Sequence, residues 1–370
     1  MNMLKPFLVL ALLTLGINGI PTVASPAVAQ SNRQQTISAS QQADLDRAYQ
    51  LNQQSLALYR EGKYTEALPV AQEALSIFER ILDPNHIDVG YALNDLAVVY
   101  YELGEVAEAL PLLERSLAIK EATIGAYHPE FAANLSDIAV IYQAVENYPK
   151  AIEAYERALD IQETVVGKNH SDYARTLNNL AALYREVEDY PAAIAAYEQA
   201  IAIKEAVLEA NDPSLATSIN NLAAIYRDQQ QYDKAISLHE QAIGILVSAY
   251  GEGHPAIDTA LGNFASTLFA LAIEQHDQRE YERAIPAYER TLSLLNEIYE
   301  PDHPAVKNVS ENLASALNSQ AFVYQSQQQY EPAIALFEQA IALLVKIHGE
   351  DDPAVKQVSE NLAVLYRERG

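Results

Sequence analysis

A short motif recurs seven times along the chain, and its even spacing restricts the possible fold more than any other feature. In each copy an alanine follows the first residue by three positions. The first residues of the seven copies are Tyr64, Val106, Tyr148, Tyr190, Tyr232, Tyr281 and Tyr330. The first four gaps are 42 residues and the last two are 49 residues. A nearly constant period of this size predicts a stacked array of supersecondary units, each burying its apolar face against its neighbours.

Each repeat contains two stretches with the apolar spacing of an amphipathic helix. Helix A is typified by "SLATSINNLAAIYRDQQ" and helix B by "YDKAISLHEQAIGILVSAY". Breaks such as "GEGHP" separate the repeats, with a proline where a helix can begin and a His or Asp at the predicted N-cap. Columns of alanine predict the lines along which paired helices touch. The helix-A column is Ala97, Ala139, Ala181, Ala223, Ala265, Ala314 and Ala363.

These small-residue, aromatic and Y-x-x-A positions resemble the tetratricopeptide repeat (TPR). The 42-residue period and the segments "TLNNLAALYREVEDYPAAI" and "TSINNLAAIYRDQQQYDKAI" are similar to the kinesin-light-chain type of TPR. The resemblance covers about Ala43 to Gly370. It implies an all-α fold, a right-handed TPR superhelix (α-solenoid) of seven helix pairs plus a C-terminal capping helix. It also implies a scaffold or adaptor that mediates protein–protein interaction.

The N-terminus has the pattern of a secretory signal peptide. Lys5 precedes an apolar stretch from Phe7 to Ile20, and "AVA" precedes a predicted cleavage after Ala29. We expect a signal peptide at 1–29, a flexible linker at 30–43 and the solenoid at 44–370. An uncleaved anchor is the alternative. No later stretch reads as a membrane span, so we expect an exported protein, periplasmic or extracellular, without membrane contact after cleavage. The predicted repeats are 44–85, 86–127, 128–169, 170–211, 212–253, 254–302 and 303–351, with the cap at 352–370.

Composition and motifs argue against several classes of function. The formal net charge of −26 disfavours nucleic acid as a partner. The absence of cysteine excludes thiol nucleophiles and Cys-ligated zinc. We find no GxSxG, HExxH or glycine-rich phosphate loop, and we therefore expect no enzyme activity and no cofactor.

One column of histidines invites a metal hypothesis, but helix packing argues against it. Equivalent side chains in successive repeats lie on the order of 10 Å apart, whereas zinc needs its ligands within about 2 Å. We therefore predict helix N-caps along this column. Its members are His86, His128, His170, Asp212, His254, His303 and Asp352.

Two adjacent polar columns on helix A differ in uniformity. The first contains only Asn or Asp, at Asp95, Asp137, Asn179, Asn221, Asn263, Asn312 and Asn361. Such uniformity predicts a structural hydrogen bond to a neighbouring turn or helix. The second reads Asn94, Ser136, Asn178 and Asn220, and then Gly262, Glu311 and Glu360. The TPR resemblance implies that this second column faces the groove, where helix-A asparagines of kinesin-light-chain-like proteins hold the backbone of an extended peptide. A carboxamide can do so because it both donates and accepts hydrogen bonds.

Three arginines extend this candidate site in repeats two to five. Arg175 lies three residues before Asn178, and Arg185 and Arg227 lie seven residues after the two asparagines of the variable column. Arginine binds carboxylates in bidentate fashion, so we expect a protein or peptide partner with acidic or C-terminal carboxylate groups. The alternative is that these arginines pair with nearby Glu186, Glu188 or Asp228. The predicted groove residues are Asn94, Ser136, Arg175, Asn178, Arg185, Asn220 and Arg227.

The last two repeats contain seven additional residues inside helix A, close to two helical turns. These turns predict an elongated ridge that contacts a partner or a second copy, and a tolerated insertion is the alternative. The same feature supports an alternative function, a structural or assembly protein that self-associates through these repeats and the caps. The oligomeric state stays open at this level.

Overall fold

The computed structural model describes residues 38–369, and this range is all-α, with fifteen helices and no β-strand. The helices are α1 (Ala39–Arg60), α2 (Tyr64–Ile81), α3 (Ile87–Glu102), α4 (Val106–Ile124), α5 (Pro129–Ala144), α6 (Tyr148–Val165), α7 (Ser171–Glu186), α8 (Tyr190–Val207), α9 (Pro213–Asp228), α10 (Tyr232–Tyr250), α11 (Pro255–Asp277), α12 (Tyr281–Ile298), α13 (Pro304–Ser326), α14 (Tyr330–His348) and α15 (Pro353–Arg369). The predicted helix pairs, each an odd-numbered helix followed by an even-numbered one, are confirmed, with α15 as the eighth helix A.

The array begins earlier than the sequence predicts. Helix α1 starts at Ala39 instead of at residue 44, because Ser38 and Gln41 form a capping box that satisfies the first free backbone N–H groups. Residues 39–43 therefore belong to a helix and not to a linker. The predicted signal peptide and residues 30–37 lie outside the described residues.

The described chain divides into two compact units, an N-terminal unit of residues 38–207 (α1–α8) and a C-terminal unit of residues 208–369 (α9–α15). In each unit a turn of three residues joins the two helices of a pair. The middle residue of every such turn has positive φ, from Gly62 at 72° in the first turn to Gln328 at 59° in the last. This left-handed residue reverses the chain at the end of helix A.

The N-cap prediction is confirmed for the whole column. In the N-terminal unit, Nδ1 of His86, His128 and His170 accepts the backbone N–H two residues later at 3.2 Å. In the C-terminal unit the same bond is made by His254 and His303 at 3.2 Å, and by Asp212 and Asp352 at 2.8 Å. Each side chain satisfies a backbone donor that the helix leaves free.

The alanine columns mark close helix contacts, as predicted, except at Ala363 of α15, which is exposed. From Ala97 to Ala314 every helix-A member of the column is 2% exposed or less. Every helix-B alanine from Ala67 to Ala333 is 0% exposed. Because a methyl group allows two helices to approach closely, any larger side chain in these columns would push a pair apart.

The additional residues of the last two repeats lie inside helix A, because α11 and α13 have 23 residues each against 16 in α3, α5, α7 and α9. Their added turns pack on the even-numbered helices. Ala272 and Ala321 are 0% exposed, and the rings of Phe322 and Phe337 meet edge to face at 5.3 Å. The added turns therefore contribute to the core of the C-terminal unit, where Phe322 of α13 stays 43% exposed.

Helix α11 corrects one expectation about membranes. It has 23 residues with a mean hydropathy of 1.4 over its most apolar window, which is long and apolar enough to cross a membrane by length and composition. The sequence predicts no such segment beyond the N-terminus. In the C-terminal unit α11 packs against α10 and α12, and Thr267 and Gln275 within it are buried.

Candidate functional site

The helices of the N-terminal unit form two layers with different side-chain chemistry. Successive even-numbered helices are linked by ion pairs, such as Arg115 with Glu79 and Arg157 Nη2 with Glu121 Oε1 at 2.6 Å. Successive odd-numbered helices are linked by hydrogen bonds from tyrosine or amide side chains. We call the surface formed by α1, α3, α5 and α7 the A face. All predicted site residues of this unit lie on these helices.

A series of tyrosine–carboxylate bonds connects the first three helices of the A face. Tyr49 Oη donates to Asp88 Oδ2 at 2.6 Å, and Tyr59 Oη donates to Glu102 Oε1 at 3.1 Å. Tyr91 Oη donates in the same way to Glu130 of α5. In each bond the tyrosine lies on one helix A and the carboxylate lies on the helix A of the next repeat.

A buried charged cluster lies beneath these bonds, and Lys120 of α4 is its cation. Lys120 is 3% exposed, its Nζ donates to Asn134 Oδ1 at 2.5 Å, and it lies 4.7 Å from the centroid of the Tyr91 ring. Burial lowers the pKa of Lys120, while Asp95, Asp137 and Glu130 oppose that shift. We call Lys120, Asn134, Asp95 and Asp137 the Lys120 cluster.

The two carboxylates of the Lys120 cluster are the first members of the uniform Asn/Asp column. Burial raises the pKa of Asp95 to about 6, and a hydrogen bond from Asn52 Nδ2 at 2.8 Å and the charge of Lys120 oppose the rise. Burial also raises the pKa of Asp137 to about 6, opposed by Lys120 and Arg175. The Asn52–Asp95 bond joins α1 to α3, as expected for a structural column. At neutral pH both carboxylates of the cluster are mostly ionised.

Two buried polar atoms near this cluster lack a hydrogen-bond partner in the described structure. Asn94 is 7% exposed and its Oδ1 accepts no bond, and the buried hydroxyl of Tyr155 on α6 makes none. Asn94 lies one repeat after Asn52 in the sequence. Burial raises the pKa of Tyr155, and the charge of Asp137 adds to that rise. Such unpaired groups are costly when buried.

The structure distributes the predicted groove residues of the N-terminal unit over α3, α5 and α7. Asn94 is buried, and the hydroxyl of Ser136 donates to the Ala132 carbonyl at 3.2 Å within its own helix. Asn178 and Arg185 are half-buried on α7. Arg175 Nη2 pairs with Asp172 Oδ1 at 2.8 Å. Asp172 is not one of the three acids that the sequence suggested as partners of the arginines. The half-buried positions therefore concentrate on α7.

The remaining two predicted residues, Asn220 and Arg227, belong to α9 of the C-terminal unit. Asn220 Oδ1 lies 2.6 Å from His239 Nδ1, and His239 Nε2 lies 2.9 Å from Thr267 Oγ1. Burial lowers the pKa of His239 to about 3, with a further contribution from Arg227. The ring is therefore neutral at pH 7, with Nδ1 donating to Asn220 and Nε2 accepting from Thr267. We call these three residues the His239 network.

Arg227 also has a partner within its own helix. Its Nε and Nη2 donate to Asp228 Oδ1 at 3.1 and 2.8 Å. The alternative pairing with Asp228 is therefore confirmed for Arg227. His239 is 1% exposed and stacks on Phe264 with ring centroids 5.6 Å apart, so it also packs in the core.

The sequence contains a signal that would have located the tyrosines. One column, 42 residues apart, reads Tyr49, Tyr91, Ala133, Arg175 and Thr217. Another reads Tyr59, Tyr101, Gln143, Arg185 and Arg227. Both columns change from aromatic to polar or cationic along the chain, so the chemistry of helix A is not the same in every repeat.

Comparison with known proteins agrees with this architecture. A family model described as tetratricopeptide repeat matches residues 50–122, 130–206, 214–277 and 312–370, more than half of the chain, and a second model of the same description matches residues 259–305. No match was found among curated proteins.

Three solved structures illustrate the likeness. A variant of the kinesin light chain nearly identical TPR-like repeats from Podosopora anserina is 26% identical, with a TM-score of 0.50 over 55% of this chain and 96% of that chain. BtubC (BKLC) from P. vanneervenii is 23% identical, with a TM-score of 0.49 over 59% of this chain and 92% of that chain. The apo form of RapI is 15% identical, with a TM-score of 0.51 over 81% of this chain and 98% of that chain.

Proposed function

Because this chain belongs to the tetratricopeptide repeat family, we propose that it is an exported scaffold that binds an extended peptide segment of a partner protein. A role in protein–protein interaction is what the family and the kinesin-light-chain-like repeats support. The observation that carries the peptide proposal is the surface of α7. There the half-buried Asn178 lies between Arg175 and Arg185 on one helix face. The proposal includes no catalytic step and no cofactor.

The chemistry of α7 suits a peptide that ends in, or contains, a carboxylate. The carboxamide of Asn178 matches the N–H and C=O groups of one peptide unit. Arg175 and Arg185 supply charge-assisted bonds to a carboxylate. Asp172 already accepts one bond from Arg175. A bound carboxylate would therefore either displace Asp172 or bind the same guanidinium beside it. The α9 surface, with Asn220 and Arg227, is the equivalent site in the C-terminal unit.

The peptide proposal is tested by crosslinking and mass spectrometry in the exported fraction. We expect Asn178→Ala together with Arg185→Ala to abolish capture of the partner while circular dichroism stays unchanged. Arg157→Ala is the matched control, because it removes an arginine of the even-numbered layer and should leave capture intact. Unchanged capture by the α7 double variant would contradict the proposal.

Export is a separate part of the proposal, and it rests on the sequence of residues 1–29. Mass spectrometry of the mature protein should give an N-terminus at Gln30. A mature chain that retains Met1 at the membrane would favour the uncleaved anchor instead.

Self-association through the long helices is the second candidate function. The observation that favours it is the exposed ring of Phe322 on the added turns of α13. In this case sedimentation velocity should show a dimer at micromolar concentration that Phe322→Ser converts to monomer. A monomer at all concentrations would leave only the peptide scaffold.

A further inference from the structure

We propose that the part of the A face formed by α3 and α5 binds a basic side chain, Lys or Arg, of the same peptide whose carboxylate binds α7. The peptide is thereby held in one direction. This inference rests on the proposed peptide-binding function and adds the charge pattern of the ligand. It is carried by charge complementarity, by the tyrosine rings and by the unpaired acceptor beneath them.

Formal charge differs between helices of one layer of the N-terminal unit. Helices α3 and α5 contain no Lys or Arg, whereas in α7 Arg175 and Arg185 balance Asp172 and Glu186. The acids of α3 and α5 are Asp88, Asp95, Glu102, Glu130 and Asp137. Lys120 of α4 offsets one of these charges from below. Glu102 and Glu130 are half-buried, whereas Asp88, Asp95 and Asp137 are buried. A cationic group on this part of the A face would therefore meet the two glutamates directly and the three aspartates through their field.

The tyrosines add a second feature that favours a cation. Tyr49 is 40% exposed, and Tyr59, Tyr91 and Tyr101 are half-buried on the same layer. Cations bind to the faces of such rings, especially where carboxylates are close. Lys120 already lies over the Tyr91 ring at 4.7 Å. The fold thus contains one internal example of the contact that we propose for a ligand.

Oδ1 of Asn94 is a buried acceptor that receives no hydrogen bond. Asn94 is more than nine-tenths buried and directly precedes Asp95 of the Lys120 cluster in the sequence. The carboxylates of Asp95 and Asp137 exceed the single cation of the cluster by one charge. A guanidinium or ammonium group supplies several N–H donors and one positive charge, which matches both deficits.

Helix spacing sets the expected register of the peptide. Packed helices lie about 10 Å apart, and an extended chain advances about 3.3 Å per residue. A basic residue over α5 is therefore expected about three positions from a carboxylate over α7. A basic residue over α3 is expected about six positions away, since a further helix lies between them.

The test is a selection from random dodecapeptides displayed on phage, with the full chain as bait. We expect the selected peptides to be enriched in Arg or Lys at a fixed distance from Asp, Glu or the C-terminus. The same selection on the Glu102→Gln/Glu130→Gln variant should lose the basic enrichment and keep the acidic one. Glutamine keeps an oxygen acceptor for Tyr59 and Tyr91, so this variant should fold.

The matched control is Glu79→Gln/Glu121→Gln, which removes two charges from the even-numbered layer and should keep the basic enrichment. For a selected peptide, replacing its Arg by neutral citrulline should weaken binding to the wild type by about tenfold in fluorescence anisotropy. The same change from Arg to citrulline should have little effect on the affinity of the peptide for the Glu102→Gln/Glu130→Gln variant.

Two outcomes distinguish a failure of this inference from a failure of the proposed peptide-binding function. Peptides selected without basic enrichment, or with an enrichment that persists in the Glu102/Glu130 variant, overturn the inference and leave the scaffold in place. Failure of the wild type to select any peptide contradicts both.

Discussion

The Lys120 cluster of the N-terminal unit and the His239 network of the C-terminal unit both bury polar groups between helices A and B, but they differ in charge. The Lys120 cluster contains one ammonium and two carboxylates. The His239 network consists of a neutral imidazole, an amide and a hydroxyl. A charged cluster depends on each of its ions, whereas a neutral network depends on its hydrogen bonds. The two regions should therefore respond differently to substitution and to acid.

The largest effect is expected for Lys120→Met, which leaves Asp95 and Asp137 without their buried cation. We expect a loss of about 3–5 kcal/mol in the free energy of unfolding, because two buried carboxylates are then left without a nearby cation. Urea denaturation measures it. Adding Asp95→Asn and Asp137→Asn should recover most of the loss, and the exposed Lys150→Met is the control. A loss below about 1 kcal/mol would show that Lys120 does not stabilise the two carboxylates.

In the C-terminal unit, His239→Ala is expected to cost about 3 kcal/mol. The substitution opens a cavity beside Phe264 and leaves Asn220 Oδ1 and Thr267 without the imidazole. Urea denaturation measures this loss as well. His239→Tyr should cost less, because Tyr155 and Tyr197 occupy the same column in other repeats and are fully buried. Equal losses for both variants would show that the cavity does not contribute to the loss.

A fall in pH should change the stability of the two regions in opposite directions. For His239 the folded pKa of about 3 lies below the ordinary 6.5, so the unfolded state binds the extra proton and stability falls as pH drops below 6.5. Between pH 7 and pH 5 the cost is about 2 kcal/mol. For Asp95 and Asp137 the folded pKa of about 6 lies above 3.8, so stability rises as pH falls from about 6 toward 4, by about 1 kcal/mol each at pH 5.

Amide hydrogen exchange at pH 7 and pH 5, corrected for the intrinsic rate, measures this difference. Protection should decrease in α9–α11 and increase in α3 and α5. The Asp95→Asn/Asp137→Asn variant should lose the increase, and His239→Tyr should lose the decrease. A parallel change in both regions would mean that other carboxylates dominate the response to acid.

The smallest effect concerns the turns between paired helices. The first two turns have glycine at the left-handed position, whereas the C-terminal unit has Gln230 at φ 59° and Arg279 at φ 62°. Gln230→Gly should stabilise the C-terminal unit by about 0.5–1 kcal/mol, since glycine adopts this conformation without a side-chain clash. The thermal unfolding midpoint measures it. Gln231→Gly, at φ −90°, should bring no gain, and an equal gain there would refute the argument.

Much of the fold follows from local patterns that a sequence contains directly. Apolar spacing predicts each helix, a His or Asp before the first turn predicts its N-cap, and repeated alanines predict where helices touch. Each of these depends on residues within one or two turns, or on exact repetition of a column. The late start predicted for α1 is the exception, because the polar sequence around Ser38 and Gln41 hides a capping box.

The candidate site could be predicted only in part. The columns of Asn94 and Asp95 were recognised, and their placement on helix A follows from the period. That Asn94 is buried while Asn178 is half-buried does not follow, because both are asparagines at equivalent positions. Burial depends on the bulk of neighbours from other helices, such as Tyr91 beside Lys120.

The sequence alone determined the number of helix pairs, their boundaries within a few residues and the columns that face one another, because these are set by periodicity. Only the tertiary structure decided which polar groups become partners. Lys120 bonds to Asn134 and lowers the pKa of Asp95 and Asp137 through its charge, and His239 bonds to Asn220 and Thr267, from helices that are separate along the chain. The energies of these buried groups depend on distance and desolvation, and both quantities arise only when helices from different repeats pack together.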